Sequence, residues 1–141
     1  MIDWQIRDSS ARIIRSSSLK AAVAKQSSLF LEKEDLPDID IYNEYVSYRA
    51  SADGRTLSEG TVIFSLPKYF RFQDPRLRYE VSGNKITIYA DSFARIVEIR
   101  NDNDDLILTD NFFDMNAGAK EVEVLSGSIT DLRLRSVYDI N

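Results

Sequence analysis

The chain has 141 residues, with 18 basic and 23 acidic side chains and a net charge of −5. At 43% hydrophobic and 29% charged it has the composition of one ordinary globular domain or two small ones. It has no Cys and no His, which excludes disulfides, thiolate nucleophiles, Cys-ligated zinc and Ser-His-Asp or Cys-His catalysis.

No apolar run approaches the roughly 20 residues of a membrane span, and the N-terminus lacks an apolar signal-peptide core. The expected location is therefore cytoplasmic. Residues 1–70 carry 9 basic and 10 acidic side chains, and residues 71–141 carry 9 and 13. Such an acidic, mixed surface predicts neither nucleic acid nor a membrane surface as partner, since both need a basic stripe.

The dominant hydrophobic period is two, that of half-buried strands. Ile2-Asp3-Trp4-Gln5-Ile6 alternates, with Trp4 expected as a core anchor between Ile2 and Ile6. Leu19–Val23 has helix formers behind a Ser but strand-like flanks, and is read as a strand. Tyr42 to Ala50 runs into the turn signal Asp53-Gly54, with Thr61 to Leu66 as its partner. Pro67 cannot donate to a ladder, so a boundary is expected there. The expected organisation is two all-β sandwich modules, residues 1–66 and 67–141.

In the second half, Arg76–Val81 and Lys85–Ala90 flank Ser82-Gly83-Asn84 and read as a hairpin. Its core face would be Leu77, Tyr79 and Val81 with Ile86, Ile88 and Ala90. Asp91–Ala94 reads as a bent turn feeding a strand at Arg95. Arg95–Ile99 and Asp105–Leu108 flank the polar run Asn101-Asp102-Asn103-Asp104 and predict a further hairpin. Glu121-Val122-Glu123-Val124 and Leu132-Arg133-Leu134-Arg135 repeat the alternation near the end.

No constellation assembles into chemistry. Asn101–Asp105 offers hard oxygens for Ca²⁺, yet in EF-hand register the Gly position is Leu106 and the Glu position is Phe112. A solvated turn is the better reading. Glu121 and Glu123 share a strand face roughly 7 Å apart, but they flank inward Val122 and Val124, so their face is solvent. Tyr42, Tyr45, Tyr48, Tyr69, Phe70 and Phe72 invite a sugar-stacking platform. Tyr45 has the opposite parity to Tyr42 and Tyr48, however, and most aromatics of a small sandwich are core. Accordingly no catalytic, cofactor-binding or metal-ligating residue is assigned and no cofactor is expected.

Two strings resemble a known family. Phe64-Ser65-Leu66-Pro67-Lys68-Tyr69-Phe70-Arg71-Phe72-Gln73-Asp74-Pro75 is similar to the interdomain stretch of bacterial β-mannosidases of glycoside hydrolase family 2. Thr109-Asp110-Asn111-Phe112-Phe113-Asp114-Met115 resembles a string of the same family's C-terminal segment. Leu132–Asp139 is similar to its last strand, and Trp4–Asp8 to a strand of the preceding immunoglobulin-like module. Leu66-Pro67 stands where the family has two prolines, and Ala117-Gly118 where it has Pro-Gly.

The resemblance implies two immunoglobulin-like sandwiches, the first incomplete at its N-terminal end. In that family the two catalytic Glu residues sit in a TIM barrel, a fold of about 250 residues, acting in a retaining mechanism. The chain is thus expected to be a non-catalytic accessory region of a β-mannosidase-like enzyme, with the catalytic barrel as its partner. Pro67, Lys68, Asp74, Pro75, Asp110, Asn111, Phe112, Phe113 and Asp114 carry the family motif in structural roles. An incomplete first module predicts self-association through its uncovered edge. An independent carbohydrate-binding module is the alternative.

Overall fold

The computed structural model describes residues 1–29 and 38–140. Those residues form eleven strands and two short 3₁₀ turns, with no α-helix among them, so the chain is all-β. It divides into two compact units. One comprises Met1–Asp8 and Arg12–Phe70, the other Ser9–Ala11 and the chain from Arg71 onward.

The first unit is one antiparallel sheet built from β1 (Ile2–Asp8), β2 (Ile13–Leu19), β3 (Glu44–Ala52) and β4 (Arg55–Ile63), in the order β2-β1-β3-β4. Asp53 and Gly54 join β3 to β4 with φ of 50° and 74°. Positive φ at both central residues is the turn whose twist matches a two-residue hairpin, which is why Asp-Gly marks it. Register then decides the faces. Ile2, Trp4 and Ile6 stand beside Ala50, Tyr48 and Val46 of β3, and these beside Ser58, Gly60 and Val62 of β4. That face is the apolar one. Tyr48 lies across Gly60, where a Cβ would come within 2.7 Å of its hydroxyl oxygen.

Among the described residues the first unit is a single sheet, with no second layer facing it. Trp4 is consequently half-buried rather than a core anchor, and the Arg15 guanidinium lies 5.4 Å from its ring centroid. On the opposite face Tyr45 is fully buried, edge-on to Phe70 at 6.5 Å. The strand expected at Leu19–Val23 is not formed. Leu19 pairs with Ile2, the first residue of β1, so the ladder ends there and β2 occupies Ile13–Leu19 instead. The Ser16-Ser17-Ser18 run hid this strand, because serine is a poor marker of β-structure.

The second unit has two sheets. Strands β5 (Arg78–Ser82), β6 (Lys85–Ala90), β10 (Gly118–Ser126) and β8 (Ile107–Leu108) lie in the order β5-β6-β10-β8. Strands β11 (Arg133–Arg135), β7 (Ala94–Arg100) and β9 (Phe113–Met115) lie in the order β11-β7-β9. Four strands and three is the count of a constant-type immunoglobulin sandwich. The inward residues of both sheets form one cluster, with Ile86 and Ile88 of β6 and Val97 and Ile99 of β7 at its centre. Full burial of each such side chain contributes about 1.5–3 kcal/mol. Asp91–Phe93 is a bend ahead of β7, as expected, and Phe93 is fully buried and stacked on Phe72 at 5.9 Å.

Two expectations about this unit are corrected. The hairpin β5–β6 forms, but Tyr79 and Val81 are not core: they are 40% and 44% exposed. They share a face with the buried Ile88 and Ile86, yet β5 is the outermost strand of the larger sheet. Second, Arg95–Ile99 and Asp105–Leu108 do not form a hairpin. β7 has β9 and β11 on its two edges, which leaves no edge for β8. β8 pairs with β10 in the other sheet, Leu108 opposite Val124. The polar run between them is a corner from one sheet to the other.

Gly127 guards that corner. Its φ is +101°, and a Cβ there would lie 2.4 Å from the Asp105 carbonyl oxygen. The obstacle is backbone, which cannot swing aside. Gly127→Ala should therefore destabilise the second unit by about 1–3 kcal/mol, read as a lowered urea midpoint with an unchanged slope.

Candidate functional site

Asp110–Asp114 is the string that the sequence singles out, and the structure accounts for its members one by one. It enters β9 from the end of β8. Asp110 accepts an ion pair from Lys120 at 2.7 Å, and the same ammonium lies 4.2 Å from the Phe113 ring centroid. Asn111 turns its amide toward β7. Its Oδ1 accepts the Ile99 N–H and its Nδ2 donates to the Ile99 carbonyl, both at 2.9 Å. The side chain thus replaces one residue of a strand partner, extending the β7–β9 ladder past its last backbone pair.

Phe113 is buried in the core cluster. Asp114 Oδ1 accepts the Ile96 N–H at 2.8 Å, and its Oδ2 lies 3.9 Å from the Arg95 guanidinium. That bond fixes a bulge between Ala94 and Val97, where Ile96 is held at φ 52°. A β-branched residue at positive φ is a genuine outlier. Phe112 is the exception to these structural roles. It is 61% exposed, with φ 59°, and its N–H donates to Asn111 Oδ1 at 3.0 Å.

The other string divides between the units. Pro67 and Lys68 belong to the first, in a 3₁₀ turn Pro67–Tyr69 that the proline starts. The Lys68 ammonium lies 4.8 Å from the Tyr69 ring centroid. Asp74 and Pro75 belong to the second unit. Asp74 Oδ1 accepts the Arg76 N–H at 2.9 Å, an Asx turn that carries Arg76 into positive φ. Pro75 is buried, and its carbonyl accepts the Asp91 N–H at 2.8 Å.

Asn101 and Asp105 meet, but as a corner clamp. Asn101 is 1% exposed. Its Nδ2 donates to Asp105 Oδ1 and, at 2.9 Å, to the Ser128 carbonyl. The Ser128 N–H donates back to Asp105 Oδ1 at 3.2 Å. No cluster of three or more metal-ligating side chains occurs among the described residues. Sequence reasoning took Asn101–Asp105 for a solvated turn and missed this buried amide. An Asn at the head of an Asn/Asp run after an apolar strand was the available signal.

Glu121 and Glu123 do not converge on a cleft. Glu121 lies 2.7 Å from the Lys85 ammonium across the β6–β10 ladder, which raises the lysine's pKa above its usual value through that hydrogen bond and the glutamate charge. The aromatics disperse as well: Tyr45 and Phe70 are buried, while Tyr42, Tyr48 and Tyr69 are exposed. In the first unit Ile6, Ile14, Arg15 and Glu44 help line a shallow cavity of about 120 Å³. Ligand pockets run to about 300–1,000 Å³.

Residues 72–140 match the Ig_mannosidase family model, an Ig-fold domain. This domain is found in β-mannosidase-like glycoside hydrolases. The match starts one residue into the long segment of the second unit and includes both sheets of the sandwich. It also takes in the Asp74-Pro75 corner and the whole Asp110–Asp114 string. No curated protein matches the chain.

Two outcomes follow from the clamps. Asn111→Ala leaves the N–H and carbonyl of the nearly buried Ile99 without partners. Each orphaned buried group costs about 1–3 kcal/mol, so equilibrium denaturation should show a loss of at least about 2 kcal/mol. Asp105 supplies a pH dependence. The Asn101 amide, then the Ser128 N–H, hold its carboxyl below the ordinary 3.8. Its folded value is thus lower than its unfolded one. The stabilisation is present above the unfolded value and is lost as pH falls through the folded value. Asp105→Asn should flatten the acid limb of stability below about pH 4, measured as urea midpoints against pH.

Proposed function

We propose that the chain is a non-catalytic accessory region of a β-mannosidase-like glycoside hydrolase, whose bond-breaking carboxylates reside in a separate catalytic barrel. The match of residues 72–140 to the mannosidase Ig-fold domain carries this reading. The fate of the most distinctive string supports it. Asp110, Asn111, Phe113 and Asp114 are engaged with a lysine, a strand backbone, the core and a bulge. None is left facing a cleft with a second carboxylate at the about 5–10 Å separation that glycoside hydrolysis requires.

On this reading the domain's work is mechanical. It presents a rigid β-surface against the catalytic domain and holds it in place. Phe112 and Ile96, exposed and held at positive φ on the strands β9 and β7 or at their margin, are the side chains we assign to that contact. Strained backbone of this kind clusters at functional contacts.

The purified chain should release no nitrophenol from an aryl β-mannoside and give no heat when titrated with manno-oligosaccharides. The reading frame upstream of Met1 should encode a (β/α)₈ barrel. Hydrolysis by the chain alone would make it an enzyme. Measurable binding heat would make it a carbohydrate-binding module.

A further inference from the structure

We infer that β5 is a self-association edge, through which two copies of this chain pair antiparallel about a two-fold axis at Tyr79. All five residues of β5 are exposed, and the strand has β6 on one side only. Its hydrogen-bonding phase follows from the turn. Ser82 and Lys85 flank the two-residue loop Gly83-Asn84, so they form a hydrogen-bonded pair, and such pairs alternate along an antiparallel ladder. Arg78, Glu80 and Ser82 therefore direct their backbone groups toward β6. Leu77, Tyr79 and Val81 direct theirs outward, to the open edge.

A symmetric pairing through those outward groups can centre on an odd-numbered residue, as a hydrogen-bonded pair, or on an even-numbered one, as a non-hydrogen-bonded pair. Centring on Tyr79 makes Tyr79 a hydrogen-bonded pair with its own copy and sets Leu77 opposite Val81. The intervening pairs are Arg78 opposite Glu80 and Glu80 opposite Arg78. They fall at non-hydrogen-bonded positions, where facing side chains come closest. The strand is thus complementary to itself in charge, and a centre at Arg78 or Glu80 would oppose like charges. The same register places Tyr79 and Val81, 40% and 44% exposed on the core-side face, against apolar residues of the second copy.

Within one chain Arg78 contacts Asp91 at 2.9 Å and Glu80 accepts the Tyr89 hydroxyl at 3.0 Å. Both groups stay exposed, so neither contact removes them from the edge. The other outer strands of this sandwich, β8, β9 and β11, are two or three residues long. β2 and β4 of the first unit are also outer strands, but the one charge of β2 is Arg15, and in β4 the register shift at Leu57 puts a bulge between Arg55 and Glu59 that interrupts a symmetric ladder.

The test is sedimentation velocity of the full chain over a concentration series, with far-UV circular dichroism to confirm folding. Wild-type chain should show a monomer–dimer equilibrium. Arg78→Glu and Glu80→Arg each turn two attractive cross-strand pairs into two repulsive ones, and each should weaken dimerisation about tenfold or more. An equimolar mixture of the two variants should restore the dimer, because every pair is then oppositely charged. The double variant Arg78→Glu/Glu80→Arg should dimerise as wild type does. A chain that stays monomeric throughout overturns the proposal. So does a dimer that both single swaps leave intact, which would place association on another edge such as β2. Catalytic silence of the chain is independent of either result.

Discussion

Every buried backbone group must find a partner, and at β7 this requirement is met by side chains. Its inward residues Val97 and Ile99 fill the centre of the sandwich core, while β9 and β11 are each only three residues long. Backbone ladders alone do not cover so long a strand. Asn111 supplies the missing acceptor and donor at Ile99, and Asp114 supplies the acceptor at the Ile96 bulge. At the far end, the Asn101–Asp105–Ser128 clamp holds the corner where the chain leaves β7. Packing gives the unit its stability, and these amides and carboxylates give the packing one geometry.

This division of labour explains why a distinctive polar string is not an active site. Asn and Asp are the residues for satisfying strand ends and corners, since a short side chain can imitate a backbone group. Glycosidic chemistry uses the same carboxylates, but needs two of them facing across a sugar. Here they face lysines, arginines, an amide and N–H groups of their own unit. A polar cluster is distinguished by what its oxygens already accept.

The two units show what the second layer of a sandwich contributes. In the second, two sheets share one apolar cluster and its central side chains are fully buried. In the first, an equally alternating pattern yields a single sheet among the described residues, and Trp4, Tyr48 and Val62 keep part of their surface in water. Hydrophobic alternation specifies which face a residue takes and is silent on whether anything covers that face. The edge strand β5 obeys the same rule within a complete sandwich.

Local chemistry was readable from residues alone. Ser82-Gly83-Asn84 announced its hairpin and Asp53-Gly54 its turn, because positive φ and two-residue turns favour so few residue types, but the strand after Asp53-Gly54 is Arg55–Ile63 and not the expected Thr61–Leu66. Alternation placed β1, β6 and β10 and the buried positions Ile86, Ile88 and Val122, and aromatic and β-branched content placed β3. The two family-like strings were visible as well, and the second lies wholly inside the matched domain. Pairing across the chain was not readable. Arg95–Ile99 and Asp105–Leu108 are neighbours in sequence but lie in different sheets, since a turn signal says that the chain bends and not which strand it meets next. The burial of Asn101, the exposure of Tyr79 and Phe112, and the amide grip of Asn111 on Ile99 were likewise settled only by tertiary structure. Each depends on a partner supplied, or withheld, by a distant segment, and no periodicity within one strand encodes that.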